Sequence, residues 1–145
     1  MIWLGVDLGT RRIGLSVSDE DGERARPHDT LEARAGIEVE LLAAAARAAG
    51  AAGVLIGLPL DMSGREGLAA RRSRRVCTAL KRACPEHAVE LFDERLTSRE
   101  AERALSASGK RQREQRGHVD RVAATLLLQA FLDARRRSPR EGGEP

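Results

Sequence analysis

At 145 residues the chain has the length of one domain, enough for a hydrophobic core that needs neither disulfides nor a structural metal. Apolar residues make up 41% of it, which excludes a largely disordered chain. Only 2% are aromatic and none is Tyr, which excludes an aromatic stacking platform for single-stranded nucleic acid. The net charge is only +3, but the basic residues are bunched: Arg71, Arg72, Arg74, Arg75, Lys81 and Arg82 form one group, and Lys110, Arg111, Arg113 and Arg116 another. A local positive field attracts a polyanion, although a solvated helix face accounts for either group equally well.

No apolar stretch approaches the roughly 20 residues of a membrane span, so no membrane association is expected. Met1-Ile2-Trp3-Leu4 lacks the basic flank and cleavage site of a signal peptide. Cys77 and Cys84 fall on one predicted helix, about 10 Å apart along its axis and too far for a disulfide. His28, His87 and His118 are scattered, and no Cys/His zinc spacing is apparent. A reducing cytoplasm fits these features.

In chain order, residues 2–8 form an apolar run ending at an Asp, the pattern of a buried strand. Residues 13–18 set Ile13, Leu15 and Val17 against Gly14, Ser16 and Ser18, the period of a half-buried strand, with 9–12 as a hairpin turn. A weaker strand over 25–31 contains Pro27, which confines it to an edge or a bulge. Residues 36–49 read as a helix closed by Gly50 and Gly53, and 54–58 as a strand buried on both faces and ended by Pro59. A helix over 66–84 stops at Pro85, and a short strand over 89–92 runs into Asp93-Glu94. Thr97, with Glu100, can cap a helix over 98–108; residues 109–117 read as a basic loop between two glycines. The last helix, 119–137, places Val119, Val122, Ala123, Leu126 and Ala130 on one face, and 138–145 is a polar tail expected to be disordered. The order predicts one α/β domain over 1–137, an antiparallel meander joined to parallel strands by crossover helices.

Acids at the ends of strands carry the chemical signal, because ligands gather at the carboxyl ends of parallel strands. Asp7 lies inside Gly5-Val6-Asp7-Leu8-Gly9, where a charge is costly unless paired or bound to a cation. The plainer alternative is an Asp that hydrogen-bonds the adjacent turn. Of Asp93 and Glu94, alternation lets one face the site, and Glu94 is the preferred candidate, while a salt bridge to Arg95 is the competing role for the pair. Asp120 opens the last helix, where complementing the helix dipole is its simplest role, yet its place beside the apolar stripe leaves room for a second. Carboxylates converging without His suggest oxygen ligands for Mg²⁺ or Mn²⁺, which could clamp a phosphodiester while metal-bound water attacks.

Four blocks carry a resemblance over nearly the whole chain. They are Gly5-Val6-Asp7-Leu8-Gly9-Thr10-Arg11-Arg12-Ile13-Gly14 with Ser18-Asp19; Gly57-Leu58-Pro59-Leu60-Asp61-Met62-Ser63-Gly64; Asp93-Glu94-Arg95-Leu96-Thr97; and Val119-Asp120-Arg121-Val122-Ala123-Ala124 with Gln129 and Leu132-Asp133. In these the sequence resembles the YqgF/RuvX family, described as pre-16S rRNA nucleases and as Holliday junction resolvases. The resemblance implies a ribonuclease H-like fold with a mixed five-stranded sheet flanked by helices. It implies an acidic metal site of Asp7, the Asp93-Glu94 pair and Asp120, with Asp7, Glu94 and Asp120 as ligands. It also implies maturation of the 5′ end of 16S rRNA, with recombination or repair of branched DNA as the older alternative. Lys110, Arg111, Arg113 and Arg116 match the family's charged loop, and with Arg11 and Arg12 they are the candidate contacts to pre-rRNA or to branched or single-stranded DNA. A homodimer is left open. Ser63 stands where an Asp is common in the family and Ser98 where a second Thr is common.

Two other readings compete. Sugar kinases and actin-like ATPases open with a similar hairpin, but they need two such domains to enclose ATP. A non-catalytic ribosome-assembly or nucleic-acid-binding module would use the same acids only to support folding.

Overall fold

The computed structural model describes residues 1–97 and 112–137, with the side chains of residues 96 and 112–118 excepted. The strands are β1 (Trp3–Leu8), β2 (Arg12–Ser18), β3 (Ala25–Glu32), β4 (Gly53–Leu58) and β5 (Ala88–Asp93). The helices are α1 (Glu38–Ala49), α2 (Leu68–Ala83) and α3 (Gln112–Arg137), and a 3-10 turn (Glu94–Leu96) follows β5. The five strands form one sheet in the order β3-β2-β1-β4-β5. The meander β1-β2-β3 is antiparallel, whereas β1-β4 and β4-β5 are parallel, as crossovers through helices require.

Strand alternation assigns the two faces. Leu4, Val6, Ile13, Leu15, Val54, Ile56 and Val89 point to one side and pack with Leu42 of α1 and Val76 and Leu80 of α2. Trp3 and Leu55 point to the other and meet Leu127, Leu128, Phe131 and Leu132 of α3. The period of two then puts Asp7, two residues beyond Gly5 and four beyond Trp3, on the α3 face.

The α3 face of β2 differs from the expectation of a half-buried strand. Ser16 and Ser18 are fully covered, because each hydroxyl finds a main-chain partner and burial then costs little. The Ser16 hydroxyl donates to the Ala124 carbonyl (2.7 Å), and the Ser18 oxygen accepts from the Trp3 amide (2.8 Å). The β3 expectation holds: it is an edge strand, and the bulge opposite Leu15-Ser16 falls beside Pro27. Gln129 secures its start, accepting from the Ala25 amide (2.8 Å) and donating to the Glu23 carbonyl (2.9 Å).

Two corrections concern α3. Residues 112–117 are helical rather than loop, since Gln112, Arg113, Glu114 and Gln115 all favour helix and one interior glycine, Gly117, costs only about 1 kcal/mol. The buried stripe is Ala124, Leu127, Leu128, Phe131 and Leu132, not the stripe through Val119, Val122, Ala123, Leu126 and Ala130. The helix is apolar around much of its girth, so spacing alone admits two registers, and the observed one is turned by roughly 140°. Asp120 precedes Ala124 by one turn and therefore stands on the sheet-facing stripe, not merely beside it. The predicted helix over 98–108 and the tail lie outside the described residues.

Glycines let α3 sit this low. A Cβ on Gly5 would stand 2.9 Å from the Leu128 Cβ, one on Gly57 would stand 2.9 Å from the Leu127 Cδ2, and one on Gly14 would collide with the Asp120 carbonyl. Gly14→Ala meets main chain that cannot swing aside, so it is expected to destabilise the fold by about 1–3 kcal/mol, as overpacking does. Gly67→Ala, with nothing within 4 Å, is the control. Chemical denaturation of both variants checks this, and equal stabilities would remove the close approach as a constraint.

Candidate active site

β1 and β4 are parallel neighbours and β5 is parallel to β4, so their carboxyl ends open on one edge of the sheet. Asp7 is the penultimate residue of β1 and pairs with Gly14 of β2, the glycine that lies under Asp120. Glu94 follows β5 directly. Continuing the alternation from Phe92, which packs with the α3 side of the core, Glu94 turns to that same face and Asp93 to the opposite one. Gly57 makes room for it, since a Cβ there would run into the Glu94 carboxylate. Acids from the start, the middle and the end of the chain are thus brought to one place by strand parity and missing side chains.

The electrostatics record how close they are. Asp7 is pushed up to about 6 by burial first and by the charge of Asp120 second, opposed by a hydrogen bond shared with Glu94. Glu94 is pushed up to about 7 by burial, then by the charge of Asp7 and by the same hydrogen bond. Burial and the neighbouring acids raise the proton affinity of both, so the pair is fully ionised only once the pH passes about 7.

Asp120 has a different counterion. The Arg12 Nε donates to its Oδ2 at 2.7 Å, with both side chains partly covered, at 33% and 22% exposure. Arg12 was expected as a nucleic-acid contact, and here it pairs inside the protein. The oxygens of Asp7, Glu94 and Asp120 do not all come within 4.8 Å of one another. Asp93 stands apart from the group. Its two oxygens take Arg95 in a fork (2.7 to 3.1 Å), and Oδ1 also accepts from the Arg95 amide at 2.9 Å, which starts the 3-10 turn. That guanidinium holds the Asp93 carboxyl below its ordinary range. The competing salt-bridge role therefore falls to Asp93 and leaves Glu94 for the cleft.

Arg11 is exposed at the hairpin. Lys110 and Arg111 lie outside the described residues, as do the side chains of Arg113 and Arg116. In the first basic group, Arg72 is internal, donating to the Gly9 carbonyl (2.7 Å) and pairing with Glu38 (3.3 Å), and Arg74 pairs with Glu66.

Asp7 and Glu94 line a cleft of about 570 Å³ whose other walls include Pro59, Asp61, Met62, Arg95 and Thr97. Asp61 and Met62 had no role on sequence reasoning, although Pro59 marks where buried strand gives way to a strand-end loop. Asp61 organises that loop, accepting from the Ser63 hydroxyl (2.6 Å) and the Arg65 amide (2.8 Å), which hold its carboxyl low. Met62 is 94% exposed, an apolar group at the mouth of the cleft.

The donors fit a hard divalent cation. The acid set is all oxygen, and among the described residues the cleft lining contains neither His nor Cys. A metal-free protein should register the strain. An acid whose folded pKa is raised contributes its stability at low pH and loses it as pH climbs through the folded value. Asp7→Asn and Glu94→Gln are therefore expected to match the parent near pH 4 in chelator and to exceed it by about 1–3 kcal/mol at pH 8. Melting curves across that range check the sign, and variants less stable than the parent at pH 8 would contradict it.

Residues 1–134 match the family described as "RuvX: Holliday junction resolvase". A protein of Anaeromyxobacter sp. (strain K) described as "Putative pre-16S rRNA nuclease" is 47% identical over 133 residues, covering 91% of this chain and 96% of its own. One of Kineococcus radiotolerans with the same description is 44% identical over 135 residues, covering 92% of this chain and 72% of its own. Among solved structures, Thermus thermophilus RuvC in complex with a Holliday junction superposes with a TM-score of 0.53 at 16% identity, over 94% of this chain and 96% of that one. That likeness identifies the architecture as ribonuclease H-like.

Proposed function

We propose, from the premise that this chain belongs to the RuvX family, that it is a divalent-metal-dependent nuclease acting in 5′-end maturation of the 16S rRNA precursor in the cytoplasm. The observation that carries the reading is the Asp7–Glu94 pair, two half-buried acids from separate strand ends lining one cleft, with the charge of a third acid, Asp120, felt at Asp7. Such an arrangement is unfavourable for folding and favourable for binding a hard cation. The relatives' description supplies the substrate class.

In this reading Asp7, Glu94 and Asp120 hold Mg²⁺ or Mn²⁺, which when bound supplies Lewis acidity to a phosphate and activates the attacking water. The chain's own groups prepare the place. Asp7 and Glu94 give up their protons, so affinity for the ion falls as pH drops from about 7 through about 6. Asp120 would join them by leaving Arg12, and the freed guanidinium could then pair with a phosphate oxygen. Asp93 does not ligate: bound to Arg95, it fixes the 3-10 turn that aims Glu94. Lys110, Arg111, Arg113 and Arg116 grip the phosphate backbone, with Arg11 as an outer contact.

Asp7→Asn, Glu94→Gln and Asp120→Asn are expected to lower Mn²⁺-dependent cleavage of a 16S leader substrate by about a hundredfold or more, beyond the 10–100-fold that outer-shell changes cost. Asp93→Asn should cost far less. Cleavage that survives all three substitutions would sink the carboxylate site, and a wild type that binds RNA without cutting would favour an assembly module. Arg12→Gln should bind Mn²⁺ more tightly by calorimetry, its competitor being gone, while cleaving more slowly. Looser Mn²⁺ binding in that variant would mean Arg12 orients Asp120 for the metal instead of vacating it.

The family description favours one second reading, cleavage of branched DNA. A synthetic four-way junction and a 16S leader assayed side by side separate the two.

A further inference from the structure

At the opposite end of the sheet, the turn from α2 into β5 reads Cys84-Pro85-Glu86-His87. The His87 amide donates to the Cys84 carbonyl at 3.0 Å and closes it into a tight turn. One sulfur, one carboxylate oxygen and one imidazole nitrogen from Cys84, Glu86 and His87 lie within 4.8 Å of one another. Cys84 is fully buried, and the His87 side chain is 8% exposed. The His87 Nδ1 is buried with no hydrogen-bond partner among the described residues, whereas Nε2 stands 3.5 Å from Glu86. A buried imidazole nitrogen without a partner is a costly vacancy in a folded protein, and one that a metal can fill. Elsewhere the turn is well bonded: the Cys84 amide reaches Leu80 at 2.8 Å, and the Ala88 amide reaches Ala52 at 3.0 Å.

We propose that Cys84, Glu86 and His87 form a second metal site, selective for Zn²⁺ and distinct from the carboxylate cleft. Thiolate and imidazole are the donors of zinc, not of Mg²⁺ or Mn²⁺. A tetrahedral zinc ion needs ligand atoms about 3.5 Å apart, so the exposed Glu86 side chain has to turn from its place beside Nε2 to join an ion held at Nδ1, and water takes the fourth position. On binding, the Cys84 thiol gives its proton to solvent as the sulfur–zinc bond forms; nothing is oxidised or reduced. The six residues of β5 put the site about 20 Å from Glu94, too far to share an ion with it. Its role is to pin the start of the edge strand that carries Glu94 at its other end. The zinc patterns sought in the sequence pair cysteines and histidines in sets, and one Cys and one His across a Pro-Glu dipeptide match none of them.

The test uses the full-length protein titrated with Co²⁺, which reports a thiolate ligand by sulfur-to-cobalt charge-transfer absorption, followed by Zn²⁺ competition. One equivalent per chain is expected to give the band, and Zn²⁺ to abolish it. Cys84→Ser should lose the band, and His87→Gln should weaken Zn²⁺ binding by about a hundredfold or more. Cys77→Ser and Asp7→Asn should keep both. His87→Gln carries the result should the buried Cys84→Ser not fold. No band in the wild type, undiminished Zn²⁺ affinity in His87→Gln, or a band that depends on Asp7 would overturn the site. None of these outcomes depends on whether the carboxylate cleft cleaves RNA.

Discussion

Two carboxylates in contact within a partly buried cleft repel one another, and the rest of the structure is arranged around holding them there. Asp7 lies one residue from the end of a buried strand, where an ionised group is expensive, and Glu94 is brought against it from the edge strand of the parallel part of the sheet. Raised proton affinity, with Asp7 pushed up to about 6 and Glu94 to about 7, is the mark of that burial and repulsion. The third acid, Asp120, adds to the repulsion and is restrained by Arg12. The fold supplies the opposing stability, chiefly the apolar contacts on both faces of the sheet.

That arrangement depends on α3 lying low. The helix rests over Gly5, Gly14 and Gly57, one glycine on each of three adjacent strands, and the Ser16 hydroxyl is bonded to its backbone. Those absences of side chain serve packing and chemistry together. Gly14 admits Asp120 and Gly57 admits the Glu94 carboxylate, so the positions that let the helix approach the sheet are the ones that let the acids approach each other.

Much of this is legible in the order of residues. The strands were readable because apolar runs and Gly/Pro punctuation are strong local signals, and the mixed sheet follows from their order. Asp7 and the Asp93-Glu94 pair stood out because acids at strand ends are rare without a reason, and alternation along β5 allowed only one of the pair to face the site without saying which. The register of α3 was not legible. Its sequence is apolar on more than one side, and only the shape of the sheet beneath selects Ala124, Leu127 and Leu128 over Val122, Ala123 and Leu126. The burial of Ser16 and Ser18 was hidden for a related reason: a serine reads as polar until a backbone partner is in place. The pairing of Arg12 with Asp120 spans 108 positions and leaves no local trace. The resemblance to a family narrowed the chemistry further than spacing could, since each of its four blocks contributes to the same sheet edge or to the helix that closes it.

The most direct test of the central claim is a crystal structure of the protein grown with Mn²⁺, with anomalous scattering used to locate the ion. The account predicts anomalous density bounded by Asp7, Glu94 and Asp120, with Arg12 turned away from Asp120. Well-ordered acids with no density between them, and Arg12 still bonded to Asp120 at saturating Mn²⁺, would contradict it.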